Sequence, residues 1–198
     1  MSASTPSLYS IGYATKPIAV FISQLQNHRI DVVADVRSVP YSRAFHDYHR
    51  ETLIQHLKEH GLRYVYLGEE LGPRSKDPTH YDESRQVQFD RLIQSDLFQS
   101  GVGRLKEGMN KGFRIALMCA EKDPASCHRS LLIAYALQRE GITVRHISHE
   151  GDIEAQPELE RRLMELTGIQ PDMLTPEEEC RDLAYRKYCQ VMAYRKPE

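Results

Sequence analysis

The chain has no tryptophan, and its longest apolar runs, residues 115–120 and 131–137, fall far short of the roughly 20 residues that cross a bilayer. A helical membrane span is thereby excluded. Charge of one sign is also lacking: 26 Lys and Arg face 28 Asp and Glu, a net charge of −2, which removes any global electrostatic case for binding nucleic acid or a membrane surface. Four cysteines in 198 residues do not make a disulfide-stapled miniprotein. With 40% hydrophobic residues the chain can bury a core as one ordinary soluble domain, so disorder is excluded as well. Residues 1–7 are small and polar, without the basic flank and apolar centre of a signal peptide. The expectation is a cytoplasmic protein whose Cys119, Cys127, Cys180 and Cys189 are reduced thiols. Several motifs are missing too: there is no GxGxxG after the first strand, no P-loop, no GxSxG and no HExxH. Cys119 does not open a Cys-x5-Arg loop, because Ala125 stands where the arginine would be. No motif calls for a cofactor, and there is no internal repeat.

What is present is an alternation of strands and helices. Strands are expected at 8–13, 32–36, 62–67, 113–119 and 143–147. Helices are expected at 17–28, 47–60, 83–94, 96–110 and 124–140. The predicted fold is α/β, with a mainly parallel five-stranded sheet covered by helices on both faces. Residues 1–150 read as the α/β domain and 151–198 as an acidic helical tail packing on it. Charge divides the same way: residues 1–151 hold 19 basic and 17 acidic residues and all nine histidines, while 152–198 hold 7 basic and 11 acidic. An anion site is therefore expected in the first part. In such folds ligands sit beyond the carboxyl ends of the strands, so polar residues that follow strands stand out.

Two segments carry them. In the first, 119–129 (CAEKDPASCHR), Asp123 is a natural helix cap and Pro124 a natural first helical residue. This places Cys127, His128 and Arg129 in or just past the first turn, where a thiol's pKa falls and an arginine calls for an anion. Cys127 reads as the preferred nucleophile or redox thiol, Cys119 as its resolving partner, His128 and Glu121 as proton carriers, and Arg129 as an anion ligand. Either sulfur also fits an apolar core. Cys119, Cys127 and His128 supply three donors without a CxxC pair, so no metal site is read here. In the second segment, 35–46 (DVRSVPYSRAFH), Asp35 at the end of a buried strand needs a partner. Arg37 and Arg43 supply one and can also grip a phosphate, with Ser42 beside them. Tyr13, and Arg74 after the third strand, complete the expected binding set. Residues 47–51 read as a solvated helix face.

The strings SIGYATKP, DVRSVPYSRAF, YLGEELGPR and LMCAEKDPASCHR, with AYRKYCQVMAYR near the end, resemble the bacterial and archaeal domain-of-unknown-function 488 family. The resemblance covers almost the whole chain. It implies an α/β fold and singles out Gly12, Tyr13, Asp35, Arg37, Ser42, Arg43, Gly68, Gly72, Arg74, Cys119, Glu121, Cys127, His128 and Arg129. It names no reaction. Pro73 stands where the family often has a second glycine.

Three functional classes follow. The first is a cysteine-dependent enzyme, or a sensing relative of one, whose pocket accepts an anionic small molecule such as a nucleotide or phosphorylated compound. The second is a nucleic-acid-binding module using Arg37, Arg43, Arg74 and Lys76 on phosphates. The third is an interaction scaffold built on the acidic tail. None involves a membrane, and the sequence assigns no oligomeric state.

Overall fold

The computed structural model describes residues 8–197, so the reading of residues 1–7 lies outside the described residues. Among the described residues six strands form one sheet: β1 (Leu8–Gly12), β2 (Val32–Asp35), β3 (Arg63–Tyr66), β4 (Ile115–Cys119), β5 (Arg145–Ile147) and β6 (Ile153–Ala155), in the order β3-β2-β4-β1-β5-β6. Every pairing is parallel except β5 with β6. The mixed α/β fold with a mainly parallel sheet is as expected, and β6 is an addition to it. Its three residues follow a tight turn in which the Ser148 N–H donates to the Asp152 carbonyl, and so short a strand leaves no periodic signal.

Eight α-helices accompany the sheet among the described residues: α1 (Ile18–Asn27), α2 (Arg50–Glu59), α3 (Gly68–Leu71), α4 (Phe89–Ile93), α5 (Asp96–Asn110), α6 (Tyr135–Arg139), α7 (Gln156–Thr167) and α8 (Glu177–Met192). The two faces of the sheet follow from strand alternation. Ala116 and Met118 join Tyr9, Ile11 and Val33 against α1 and α2, whereas Ile115, Leu117 and Cys119 join Leu8, Val32 and Ala34 against α5, α6, α7 and α8. Both faces are thus buried, which is why the central strands read as unbroken apolar runs.

Two expected helices differ. Of residues 83–94 only α4 is helical; Tyr81 bridges Val87, and Gln86 bridges Arg195, so the chain end staples this loop instead. The Gln86 side chain donates to the carbonyls of Gln190 and Ala193. The 124–140 helix is interrupted. Asp123 caps a single 3-10 turn, Pro124–Ser126, and Cys127 is then extended (φ −128°, ψ 143°). The Cys127 carbonyl accepts from Ser130 and Leu131 N–H groups, so the helix restarts after it, passing through a π-helical stretch, Arg129–Ala134, into α6. Cys127 therefore stands before the helix rather than in its first turn, and the local backbone decides its direction.

The connections after β1 and β2 carry α1 and α2 on one face, while those after β3 and β4 carry α3, α5 and α6 on the other. The chain thus turns opposite ways after β1 and after β4, which lie side by side with Gly12 registered against Cys119. This is the switch point at which open α/β sheets form a crevice. Gly12 is required there by close approach: a Cβ would stand 1.9 Å from the Glu121 carbonyl oxygen and 3.0 Å from Arg129 Nη2. Gly12→Ala is expected to lower unfolding stability by about 3 kcal/mol in urea denaturation. Gly103→Ala in α5, where nothing lies within 4 Å, should raise it by about 0.5–1 kcal/mol. Equal stability of the Gly12 variant and its parent would show that the Glu121 carbonyl does not approach β1 this closely.

Candidate active site at the β1–β4 edge

Strand β4 ends in Cys119, and the chain returns through 120–126 to place Cys127 and His128 back beside it. Glu121 Oε2 lies 2.9 Å from Cys119 Sγ and 3.1 Å from Cys127 Sγ. His128 Nδ1 lies 3.6 Å and 3.8 Å from the same two sulfurs. The other ring nitrogen of His128, Nε2, is 2.9 Å from the Val36 carbonyl, which can only accept, so Nε2 carries the hydrogen and Nδ1 turns to the sulfurs. Cys119, Glu121, Cys127 and His128 all have ligand atoms within 4.8 Å of one another. Glu121 is thus a fourth donor that the sequence reading did not count.

The two thiols are held differently. Burial pushes Cys127 up, but the hydrogen bond from Cys119 and the charges of Arg129 and His128 outweigh it and hold Cys127 well below the usual thiol range. The Arg129 backbone N–H also points at its sulfur, at 3.5 Å. Burial and the neighbouring Cys127 push Cys119 up. Glu121 is raised by desolvation of its carboxyl where it meets the sulfurs and by Cys127. For His128, the Cys127 sulfur and Glu121 overcome burial and raise the imidazole.

Arg129 does not take the role expected of it. It is fully buried (0% exposed), and its guanidinium donates to Ser10 Oγ and to the carbonyls of Glu121 and Lys122, at 3.2, 2.9 and 3.4 Å. Carbonyls have taken the place of the anion, because the 120–126 return folds directly over this side chain. Behind it Ser10 Oγ stands 2.6 Å from His146 Nδ1, and His146 Nε2 stands 2.7 Å from Gln156 Oε1. Burial pushes the His146 imidazole down to about 4.

The second segment forms the facing wall. Arg37 grips the fully buried Asp35 in bidentate fashion, Nε to Oδ1 at 2.9 Å and Nη2 to Oδ2 at 2.7 Å, and Tyr64 O–H donates to the same carboxylate. Arg37 Nη1 donates to the Tyr48 carbonyl. Arg37 is thus largely committed to the protein, and Asp35 lies beneath it. Ser42 is buried, and its hydroxyl accepts the Phe45 N–H. Arg43 and Arg74 are exposed, and the Arg74 guanidinium lies 4.9 Å over the Tyr194 ring. Tyr48, expected on a solvated face, is buried and stacks on Tyr13 at 4.2 Å, which packs the floor under Arg37.

The two walls enclose one cavity of about 590 Å³, reached by Tyr13, Arg37, Arg43, Arg74, Cys119, Glu121 and His128. Cys119 faces it, while Cys127 is set behind and does not line it. The expected order, with Cys127 foremost and Cys119 in support, is therefore reversed with respect to access. Met192 and Tyr194, beyond the boundary drawn for the anion site, also line the cavity. No local sequence signal marks these two, because they arrive through the staple on Gln86.

The fold and site define an α/β protein with a sulfur, carboxylate and imidazole centre at the carboxyl edge of its sheet. The chain belongs to the family described as domain of unknown function DUF488, whose model matches residues 17–136. No curated protein matches it. Among solved structures it is matched by a DUF442 protein from Shewanella putrefaciens CN-32, provisionally titled a phosphatase, with 14% identity over 96% of this chain and 91% of that one. The TM-score of that superposition is 0.36, and it bears on neither fold nor activity. Among the described residues no helix is long and apolar enough to cross a membrane.

Two outcomes follow. Asp35→Ala leaves the Arg37 charge buried without its partner and is expected to cost about 3–5 kcal/mol of unfolding stability, measured by denaturant titration; a loss below about 1 kcal/mol would show the pair to be solvated. His146 is neutral in the fold, while the unfolded chain takes up its proton near pH 6.5. Its contribution is therefore complete above pH 6.5 and is lost as the pH falls towards 4, a decline of about 3 kcal/mol. His146→Gln should flatten that part of the stability–pH curve.

Proposed function

We propose that the protein is a cytoplasmic enzyme acting on an anionic small molecule, one bearing a phosphate or comparable group, with Cys119, Glu121, Cys127 and His128 as its reacting centre. The observation that carries this reading is the shared cavity: the sulfur centre and the arginine-bearing loop are two walls of one space. Its volume is that of a small-molecule site. In this reading Arg43 and Arg74 hold the anion, since their guanidinium groups are exposed at the rim. Arg37 adds its charge from a fixed position and carries the Tyr13 ring beneath it. Glu121 accepts the proton of the Cys119 thiol, from which it is 2.9 Å away, and His128, protonated at Nδ1 in this step, stabilises the charge left behind. Such a centre needs a compartment that keeps thiols reduced, which supports the cytoplasm.

An oligonucleotide reading would use the same Arg43 and Arg74 but would leave the sulfur centre without a role. A scaffold reading would need a free tail, whereas the chain end here is engaged in stapling the 81–87 loop and walling the cavity.

Isothermal titration calorimetry with inorganic phosphate and with a nucleoside monophosphate tests the proposal. Saturable binding that weakens with salt is expected, with a loss of about tenfold in each of Arg43→Ala and Arg74→Ala. Absence of saturable binding, or unchanged affinity in the double variant, would overturn it.

A further inference from the structure

We propose that Cys119, Cys127, His128 and Glu121 form a binding site for a zinc-type divalent cation, with Glu121 as its exposed donor. The proposal rests on the enzymatic reading above for the role of the cavity, and with the ion bound Cys119 and Glu121 act as its ligands in place of the proton transfer between them.

Four observations converge on it. The first is size. A tetrahedral zinc ion with sulfur ligands at about 2.3 Å and nitrogen or oxygen ligands at about 2.0–2.1 Å separates its donors by roughly 3.5 Å. The sulfur-to-nitrogen edges here are 3.6 and 3.8 Å, and the sulfur-to-oxygen edges are 2.9 and 3.1 Å. A shift of a few tenths of an ångström in the Glu121 side chain brings its two edges to this value, and the two remaining donor pairs lie within 4.8 Å. The second is orientation. The Val36 carbonyl takes the hydrogen of His128 Nε2, so the lone pair of Nδ1 is left facing the sulfurs, the arrangement by which a backbone acceptor orients a metal-binding imidazole.

The third is charge. Two buried sulfurs and a carboxylate meeting at one point repel one another once ionised, and only a cation at their centre turns that repulsion into attraction. A dication together with the buried Arg129 carries three positive charges against the three of the donors. The fourth is access. Cys119, Glu121 and His128 all reach the cavity, but Glu121 alone of the four donors is exposed, so it is the ligand most readily replaced. A disulfide between the sulfurs would use neither Glu121 nor the oriented Nδ1.

Binding breaks the S–H bonds and forms two sulfur–metal bonds, releasing the thiol protons to solvent; no oxidant is involved. Sulfur with imidazole suits zinc over magnesium or calcium. An ion so placed ties the end of β4 to the start of the helix and polarises a water or substrate oxygen that replaces Glu121 from the cavity.

The test is titration of the full chain, stripped with chelator and kept reduced, with cobalt(II) alone. A single ion per chain is expected, with the near-ultraviolet sulfur-to-cobalt band and the strong visible bands of a tetrahedral site. Cys127→Ser and His128→Ala should each weaken binding by more than about 100-fold. Glu121→Gln should keep the sulfur-to-cobalt band and shift the visible ones. Zinc should displace cobalt and protect Cys119, the sulfur that faces the cavity, from iodoacetamide. No cobalt bands in the folded protein, or bands that persist in the Cys119→Ser/Cys127→Ser double variant, would overturn the site. Phosphate calorimetry on the same sample separates the two readings. Phosphate binding without cobalt bands removes the metal alone, and cobalt bands without phosphate binding uphold the metal while removing the anion cleft.

Discussion

Complete burial of the Arg129 guanidinium is the constraint on which the rest of the site depends. A charge withdrawn from water must be met by oxygen atoms at close range, and the chain meets it with Ser10 Oγ from β1 and with the carbonyls of Glu121 and Lys122. Those two carbonyls belong to the segment that leaves β4, so satisfying Arg129 bends that segment back over the sheet edge. The same bend sets Glu121 Oε2 between the sulfurs of Cys119 and Cys127. It also explains why β1 ends in a residue without a side chain, since the Glu121 carbonyl passes where a Cβ would be. Ser10, in turn, is held by a histidine that burial keeps neutral.

A second buried pair does for the facing wall what Arg129 does for the sulfur centre. Asp35 ends β2, an inner strand of the sheet, and needs a cation, and Arg37, two residues on, folds back to meet it through two of its nitrogens. That return turns the 38–43 loop across the crevice and leaves Arg43 at its rim. The cavity is therefore a consequence of two ion-satisfying turns on strands that are neighbours, β2 and β4. A metal ion in the sulfur centre would extend the same logic, balancing charges that neither turn compensates.

Much of this was legible in the sequence. Continuous apolar runs located five strands, and α5 runs over residues 96–110, where the sequence led to a helix being expected. Cys119, Glu121, Cys127 and His128 were singled out because they follow a strand, and they do converge. What was not legible has particular causes. Arg129 looked like an anion ligand because a cation at a helix start lacks a partner; its partners are carbonyls, which a sequence does not announce. Glu121 counted as a proton carrier and not as a fourth donor, because donor counting by spacing misses a ligand brought in by a turn. Tyr48 was hidden in a charged string, and Met192 and Tyr194 in the distant tail.

By itself the sequence determined the class of fold, the absence of an apolar segment long enough for a helical span, and the two segments that line the cavity, because apolar runs, hydropathy and residue type are local properties. Only the tertiary structure decided which sulfur faces the cavity, that Arg129 is structural and that Glu121 joins the cysteines. These depend on distances of a few ångströms between segments, and such distances are set by how buried charges find oxygen once the sheet has formed.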